Sequence, residues 1–142
     1  MLLNKHKINN ILLVDDDEIV NFINKTVISR TVETDTITIS RDGLEAIDYL
    51  KNNMDSSIPD LIMLDINMPR MDGWQFLEEY KNIKQDFKKT PVIVMLSSSN
   101  NPVEMDKARN SGEIAAFKNK PLTIEKFQEI IDQFSLILSD NA

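Results

Sequence analysis

Five short apolar runs alternate with segments of helical periodicity, and this alternation limits the possible folds more than any other feature of the chain. Alternation of this kind predicts βαβ units and a parallel sheet. The first, third and fourth runs are long enough to be apolar on both faces, as expected for strands covered by helices on both sides. The second run alternates isoleucine with threonine, which predicts a less buried strand near a sheet edge. The runs are residues 11–14, 37–39, 61–64, 92–96 and 115–117.

Each run is followed by a segment that predicts a helix. Four helix starts have typical capping chemistry, at Asp17, at Asp72 with Gln75 three residues on, at Asn101 before Pro102, and at Thr123. The apolar stripes of four helices are Ile19, Val20, Ile23, Val27 and Ile28; Leu44, Ile47 and Leu50; Phe76, Leu77 and Tyr80; and Ile124, Phe127, Ile130, Ile131, Phe134 and Leu138. Right-handed crossovers then predict a doubly wound (βα)₅ sheet with helices on both faces.

Length and composition indicate one domain with no nucleic-acid or membrane role. We expect a single domain over residues 1–142, with a core over about 9–138 and short terminal tails. The net charge of 16 − 23 = −7 argues against binding to nucleic acid or to an anionic membrane surface. The chain has no cysteine, and no apolar run approaches a membrane span or a signal peptide. We therefore expect an intracellular, cytoplasmic protein.

Acids, a hydroxyl and a lysine follow the predicted strands. Asp15 and Asp16 follow the first strand, Asp65 ends the third, Ser97 follows the fourth, and Lys120 lies just beyond the fifth. Ligands of doubly wound sheets bind beyond the carboxyl ends of the strands. These side chains are therefore candidates for one common site.

Most of these residues also have an ordinary structural explanation. Asp15 and Asp16 can serve the macrodipole of the first helix, Ser98 can be a loop residue, and Lys120 alone can be a surface lysine. Asp17 is best explained as a helix cap without a catalytic role. Asp65 differs, because an aspartate at the end of a buried apolar strand is costly without a partner.

Electrostatics indicates what such a cluster of acids requires. Two carboxylates about 4 Å apart repel by about 4 kcal/mol at an effective dielectric of about 20. Converging acids raise one another's pKa or need a cation to offset the repulsion. A site with few carboxylates and open positions suits Mg²⁺, which shares its shell with phosphate oxygens. Lys120 and the Ser97 hydroxyl would meet the remaining oxygens of a phosphoryl group, so the pattern predicts phosphoryl transfer.

Five sequence motifs follow one another along the chain. They are residues 11–16 (Ile-Leu-Leu-Val-Asp-Asp), 41–46 (Arg-Asp-Gly-Leu-Glu-Ala), 61–73 (from Leu-Ile-Met-Leu-Asp to Met-Asp-Gly), 95–98 (Met-Leu-Ser-Ser) and 117–121 (Phe-Lys-Asn-Lys-Pro). In these motifs and their order, the chain resembles the receiver domains of response regulators in bacterial two-component systems, specifically the stand-alone, chemotaxis-regulator-like kind. The resemblance covers about residues 9–138, and it implies a flavodoxin-like sheet of order 2-1-3-4-5.

The resemblance implies a role for each matching position. Asp65 would be phosphorylated, and Mg²⁺, for which Mn²⁺ can substitute, would be held by Asp15, Asp16, Asp65 and the Asn67 backbone carbonyl. Asp16 would bind the metal directly and Asp15 largely through metal-bound water. Ser97, with Ser98 beside it, and Lys120 would bind the phosphoryl oxygens. Phe117 would be the switch aromatic, and the Lys120–Pro121 bond a candidate cis peptide.

The resemblance also implies partners and a signalling mode. A histidine kinase or histidine phosphotransfer protein would supply the phosphoryl group. An unidentified downstream protein would bind the face made by the fourth helix, fifth strand and fifth helix. The domain would be a monomer or a weak phosphorylation-dependent dimer, and it would act as an enzyme only on its own phosphorylation state. Phe117 lacks the hydroxyl of the tyrosine that many members carry, so its signal would rest on ring position alone.

Three other functions remain open at this stage. The chain can be a phosphorelay intermediate, which passes the group onward, or a phosphorylation-independent binding module that keeps the fold. A Mg²⁺-dependent phosphohydrolase with an aspartyl nucleophile ranks lower, since that chemistry usually requires a second Asp where this chain has Asn67. The single histidine, His6, is more readily a solvated side chain than a ligand.

Overall fold

The computed structural model describes residues 6–55, 57–98 and 100–140, the last five as backbone. Five strands form one parallel sheet in the order β2-β1-β3-β4-β5, as predicted. The elements are β1 Asn10–Val14, α1 Glu18–Thr31, β2 Thr36–Ser40, α2 Gly43–Asn52, β3 Leu61–Asp65, α3 Gly73–Ile83, a 3₁₀ turn Lys84–Asp86, β4 Val92–Ser97, α4 Pro102–Asn110, β5 Ala116–Asn119 and α5 Ile124–Asp140. This is the flavodoxin-like α/β fold that the resemblance implies.

Two apolar cores lie on opposite faces of the sheet, because successive strand residues point to opposite sides. Leu13 and Met63 pack with α1 and α5, whereas Leu12 and Ile62 pack with α2, α3 and α4. Strands β1, β3 and β4 are therefore buried almost throughout, and β2 at the sheet edge is partly exposed. Both observations confirm the burial predicted from the runs.

The predicted helix starts are confirmed by their hydrogen bonds. The Asp17 side chain accepts from the Ile19 and Val20 amides, and Asp72 and Gln75 form a complete capping box. Asn101 caps α4 with Pro102 in the first turn, and the Thr123 hydroxyl accepts from the Lys126 amide at 3.1 Å. These caps place the helix N-termini at the same sheet edge as the candidate site.

Some predicted core positions are wrong, mostly near helix starts. Ile19 is 72% exposed, and Leu44 and Ile124 are 38% and 45% exposed. In α1 the buried positions are Asn21, Asn24 and Ile28, which share one face at helical spacing, while Ile19 points elsewhere. The apolar pattern misled because two asparagines occupy the inward face.

The boundaries of the last strand also differ slightly from those predicted. Strand β5 runs to Asn119, beyond the predicted 115–117, because its last residues are polar and give no apolar signal. Ile8, one residue before the expected core, is fully buried. The predicted core side chain Leu138, and the tail residues 1–5, 141 and 142, lie outside what the structure describes. Within the described ranges, no helix is both long and apolar enough to cross a lipid bilayer.

Candidate functional site

Three carboxylates converge at the carboxyl edge of the sheet. Asp15 follows β1 directly and Asp65 is the last residue of β3, the strand beside it. One ligand atom from each of Asp15, Asp16 and Asp65 lies within 4.8 Å of the others. Asp15 and Asp65 are buried, whereas Asp16 is exposed. The cluster thus has a buried floor and a side open to solvent.

Lys120 reaches this cluster from the carboxyl end of the outer strand β5. Its ammonium donates to Asp15 Oδ2 at 2.8 Å and to Asp65 Oδ1 at 2.9 Å. Burial lowers the pKa of Lys120, but the bonds to Asp15 and Asp65 outweigh burial and leave the pKa above its ordinary value. Lys120 is therefore a fixed cation that joins two of the three acids.

The pKa of Asp65 is raised, whereas the pKa of a well-paired carboxylate is lowered. Burial raises its pKa, and the neighbouring charge of Asp15 raises it further. The hydrogen bond from Lys120 lowers the pKa but does not offset burial. With three carboxylates and one ammonium, 3 − 1 leaves two negative charges uncompensated.

The donor set fits a hard divalent cation. Carboxylate oxygens on one open side are the ligands that Mg²⁺, Ca²⁺ and Mn²⁺ prefer, and two uncompensated charges match the charge of such an ion. Asn67 lies in the exposed turn that directly follows β3, two residues beyond Asp65. The ligand role of its backbone carbonyl stays a prediction.

Backbone contacts hold Asp15 in place. Its amide donates to the Ser40 carbonyl at 3.0 Å, and its Oδ1 accepts from the Asp17 amide at 2.9 Å. The buried side chain of Asn21 donates to the Asp15 carbonyl at 2.9 Å. Sequence reasoning missed Asn21, although a polar residue on the inward face of α1 is the signal that could have identified it.

Gly73 allows α3 to begin against the backbone of Asp65. A Cβ atom at Gly73 would lie 2.4 Å from the Asp65 carbonyl oxygen, closer than any side chain tolerates. The Gly73 amide also donates to the Ile66 carbonyl at 2.7 Å. The Asp-Gly pair at the end of the third motif is thus explained by a cap at Asp72 and a close approach at Gly73.

The loop between β3 and α3 is anchored to the start of α2. Arg70, with a left-handed φ of 61°, donates to the buried carboxylate of Asp42 at 2.7 Å. The Gly43 amide donates to the Met71 carbonyl at 2.8 Å. Burial raises the pKa of Asp42, but Arg70 and the α2 amides outweigh burial and hold it below its usual value. Sequence reasoning did not find this pair, since its partners lie 28 positions apart.

The other predicted site residues lie in β4 and β5 or just after these strands. Ser97 is buried at the end of β4, beside Asp65 on the neighbouring strand, and Ser98 follows it in an exposed position. Phe117 is half-buried in β5 and lines a cleft of about 310 Å³ beneath α4. The Lys120–Pro121 peptide bond is cis.

A family model matches most of the chain. The model described as "Response regulator receiver domain" matches residues 11–132. Among curated proteins, "Protein-glutamate methylesterase/protein-glutamine glutaminase 1" of Methanospirillum hungatei is 34% identical over 120 residues, 84% of this chain and 33% of that protein. "Response regulator Rcp1" of Synechocystis is 36% identical over 93 residues, 63% of each chain. The chain thus spans one to two thirds of these two relatives.

Solved structures with the same fold include close matches. A two component response regulator from Cytophaga hutchinsonii has a TM-score of 0.82 and 34% identity, with 92% of this chain and 99% of that chain covered. A Mn²⁺-bound form of Rcp1 has a TM-score of 0.69 and 25% identity, with 89% and 91% covered. The match to the methylesterase is confined to a third of its length, so the esterase activity is not carried over to this chain.

Proposed function

Because the chain belongs to the response regulator receiver domain family, we propose that Asp65 accepts a phosphoryl group from a histidine kinase or a histidine phosphotransfer protein. One observation carries the proposal. The Lys120 ammonium bonds both Asp15 and Asp65, with Asp16 beside them, at the edge of the sheet where doubly wound folds bind ligands. A buried strand-end carboxylate in such a setting is suited to phosphoryl transfer.

Asp65 acts as the nucleophile. An oxygen of its carboxylate attacks the phosphorus atom of a phosphohistidine, the P–N bond breaks, and the imidazole leaves with the electron pair and takes a proton from water. Lys120 already contacts Asp65 at 2.9 Å and is placed to bind an oxygen of the acyl phosphate. Attack of water on the acyl phosphate later releases phosphate and resets Asp65.

Mg²⁺ is the proposed cofactor, and Mn²⁺ can substitute for it. Asp15, Asp16, Asp65 and the Asn67 backbone carbonyl would hold the ion. When bound, the ion supplies neutralisation of the charge that the phosphoryl oxygens add to an already negative site. Support comes from the three carboxylates within 4.8 Å and from the Mn²⁺-bound form of Rcp1.

Ser97 and Phe117 are the proposed switch. The Ser97 hydroxyl, with Ser98 beside it, would bind a phosphoryl oxygen and draw the loop after β4 toward Asp65. Phe117 would then turn inward and change the surface made by α4, β5 and α5, where a downstream protein binds. The cleft of about 310 Å³ that Phe117 lines supports such a ring movement.

The surroundings of Asp65 favour a protein as the phosphoryl donor. Ile19 and Phe22 of α1 are 72% and 70% exposed. A cleft of about 290 Å³, lined by Ile23 of α1, by Pro121 and by other apolar side chains, opens next to Lys120. Apolar surface next to an acceptor carboxylate suits a helical protein better than a small anion. We place this reaction in the cytoplasm, consistent with a chain that has no cysteine.

We propose that residues 1–142 act as one receiver domain, either monomeric or as a weak phosphorylation-dependent dimer. Its output would be a protein contact rather than binding to nucleic acid or a membrane, in line with the net charge of −7. A phosphorelay role is the second candidate, since an acyl phosphate at Asp65 can also be transferred back to a histidine. Return of label from the phosphorylated chain to a histidine phosphotransfer protein would support the relay.

Intact-mass spectrometry after incubation with acetyl phosphate tests the proposal. We expect a gain of one phosphoryl group that requires Mg²⁺ and is absent from Asp65→Ala. Asp60→Asn is the matched control, because Asp60 lies at the opposite end of the same strand and keeps Asp65 intact. The gain should persist in the folded fraction of that control.

Two outcomes would contradict the proposal. Phosphorylation of Asp65→Ala at the wild-type rate would move the acceptor elsewhere. No gain in the wild-type chain, with acetyl phosphate or with a phosphorylated histidine phosphotransfer protein, would instead favour a binding module that keeps the fold but not the chemistry.

A further inference from the structure

Lys126 lies in the first turn of α5 and uses its side chain in an unusual way. Its ammonium donates to the Asn119 carbonyl at 2.9 Å and to the Pro121 carbonyl at 3.1 Å. Among the residues that the structure describes, no carboxylate lies within ion-pair distance of this ammonium. A cation near a helix N-terminus opposes the helix dipole, so its place is not explained by the stability of α5.

The two carbonyls that Lys126 binds flank Lys120. Asn119 precedes Lys120 and Pro121 follows it, so one ammonium holds the backbone on both sides of the lysine of the site. The Lys120 amide is held separately by the Ser97 carbonyl at 2.7 Å. The backbone of Lys120 is thus fixed at three points within three residues.

Fixing this backbone matters because a lysine side chain is long and flexible. Four rotatable bonds separate the Lys120 ammonium from its Cα, and it must meet Asp15 and Asp65 at 2.8 and 2.9 Å at the same time. A shift of the Cα changes the torsions that the side chain needs to meet both carboxylates, and it weakens the geometry of these bonds. Displacements of about 1 Å are enough to slow a reaction strongly.

We infer that Lys126 is a positioning residue for the phosphorylation site, which acts by holding the backbone around Lys120. The inference rests on the proposed function, because it assigns Lys126 a part in the reaction at Asp65. Lys126 itself touches neither the carboxylates nor the phosphoryl group. Its effect on the reaction passes entirely through Lys120.

Lys126→Met tests the inference, since methionine keeps the apolar stem and lacks the ammonium. We expect phosphorylation by acetyl phosphate at saturating Mg²⁺ to slow roughly tenfold, as is typical when a residue that orients a functional group is removed. Lys118→Met is the matched control, because it removes an equal charge from β5, where Lys118 pairs with Glu129 at 2.9 Å. The control should react at the wild-type rate.

Affinity for Mg²⁺ separates positioning from general damage to the site. It can be followed by the fluorescence of Trp74, the single tryptophan, which follows Gly73 at the backbone of Asp65. Lys126→Met should bind Mg²⁺ at least as tightly as the wild type, because the acids are unchanged and a displaced Lys120 ammonium competes less for Asp15 and Asp65. A parallel loss of Mg²⁺ affinity and rate would overturn the inference.

A double-mutant cycle with Lys120→Met gives the sharpest test. If Lys126 acts only through Lys120, adding Lys126→Met to Lys120→Met should not slow the reaction further. A further tenfold loss would overturn the inference. If Lys126→Met does not fold, Lys126→Arg takes its place, and it should retain most of the wild-type rate because a donor cation is kept.

The inference and the proposed function fail in distinguishable ways. If the wild-type chain takes no phosphoryl group, the proposed function fails. If the wild type and Lys126→Met are phosphorylated at the same rate, the proposed function stands and the role of Lys126 is refuted.

Discussion

Strand β3 has a buried aspartate at each end, and the surroundings of the two carboxylates differ strongly. Asp60 lies directly before the strand and Asp65 is its last residue. Each pairs with a lysine that is distant in sequence. Asp60 pairs with Lys89, and Asp65 pairs with Lys120. The pairs differ in how completely the charge and the hydrogen-bonding capacity of the carboxylate are matched.

At the amino end, one carboxylate is fully matched. Asp60 is 0% exposed, its Oδ1 accepts from the Lys89 ammonium, and its Oδ2 accepts from the Asn10 amide at 3.1 Å. Its backbone also bridges strands, since the Asp60 amide donates to Asn10 and its carbonyl accepts from Val92. One negative charge meets one positive charge, and Asp60 fastens β1, β3 and β4 together.

At the carboxyl end, the charges are left unequal. Lys120 is shared between Asp15 and Asp65, and Asp16 adds a third carboxylate that is exposed to solvent. The raised pKa of Asp65 reflects burial without sufficient compensation. The comparison of Asp60 with Asp65 indicates that burial of an aspartate alone does not identify a functional site. Burial together with uncompensated negative charge does.

At the amino end of β3, removal of the Asp60 carboxylate tests how much the matched pair stabilises the fold. We expect Asp60→Ala to lower the free energy of unfolding by about 3 kcal/mol, because the Lys89 pair and the bond from the Asn10 amide are lost together. This is the low end for a buried pair, since Lys89 is 32% exposed and can turn to water. Urea unfolding followed by circular dichroism measures the change.

A surface pair at the same end of the sheet is the control for Asp60. Asp35 pairs with Lys7 at 3.1 Å, with exposed fractions of 61% and 46%. Asp35→Ala should change the free energy of unfolding by less than about 0.5 kcal/mol. Equal losses in the two variants would mean that Asp60 is no more than another surface charge.

At the carboxyl end of β3, added Mg²⁺ tests whether the negative charge of the cluster is uncompensated. We expect Mg²⁺ at ten times its dissociation constant to raise the free energy of unfolding by about 1.4 kcal/mol, because the ion binds only the assembled cluster. Chelation by EDTA should reverse the gain. Asp16→Asn, which removes an exposed ligand, should reduce it. A Mg²⁺ effect of equal size in that variant would argue against this cluster as the site.

The strands, the helices and the edge at which the site lies could be predicted from strong local signals, whereas the strand order was implied by the family resemblance. Apolar runs such as residues 61–64 identify strands buried on both faces, and caps such as Asp72 with Gln75 identify helix starts. The weak signals failed where polar residues occupy buried positions. Asn21 and Asn24 lie on the buried face of α1. The apolar pattern therefore wrongly placed the side chain of Ile19 on that face.

The residues that support the site were harder to predict than the residues that form it. Asp15, Asp65 and Lys120 stand directly at strand ends, and the fold alone brings them together. The Arg70–Asp42 pair and the Lys126 bonds depend on side-chain rotamers and loop paths between segments. No periodicity or spacing in the sequence encodes such contacts, so they become visible only in three dimensions.

The smallest expected effect is that of Asp65→Asn on the free energy of unfolding. Its sign is opposite to that of the same substitution at Asp60. Because the folded-state pKa of Asp65 lies above its unfolded value, the proton on Asp65 stabilises the fold at low pH. That contribution is lost as pH rises through the folded pKa, so ionised Asp65 opposes folding at neutral pH. We expect Asp65→Asn to raise the free energy of unfolding at pH 7 by less than about 1 kcal/mol.

The pH dependence distinguishes this cause from a packing effect. The advantage of Asp65→Asn should disappear below about pH 4, where the wild-type carboxyl is protonated in both states. Asp60→Asn, measured alongside, should be less stable than the wild type at pH 7. A destabilised Asp65→Asn at pH 7 would mean that the Lys120 bond compensates Asp65 fully, and the two ends of the strand would then differ in exposure but not in charge balance.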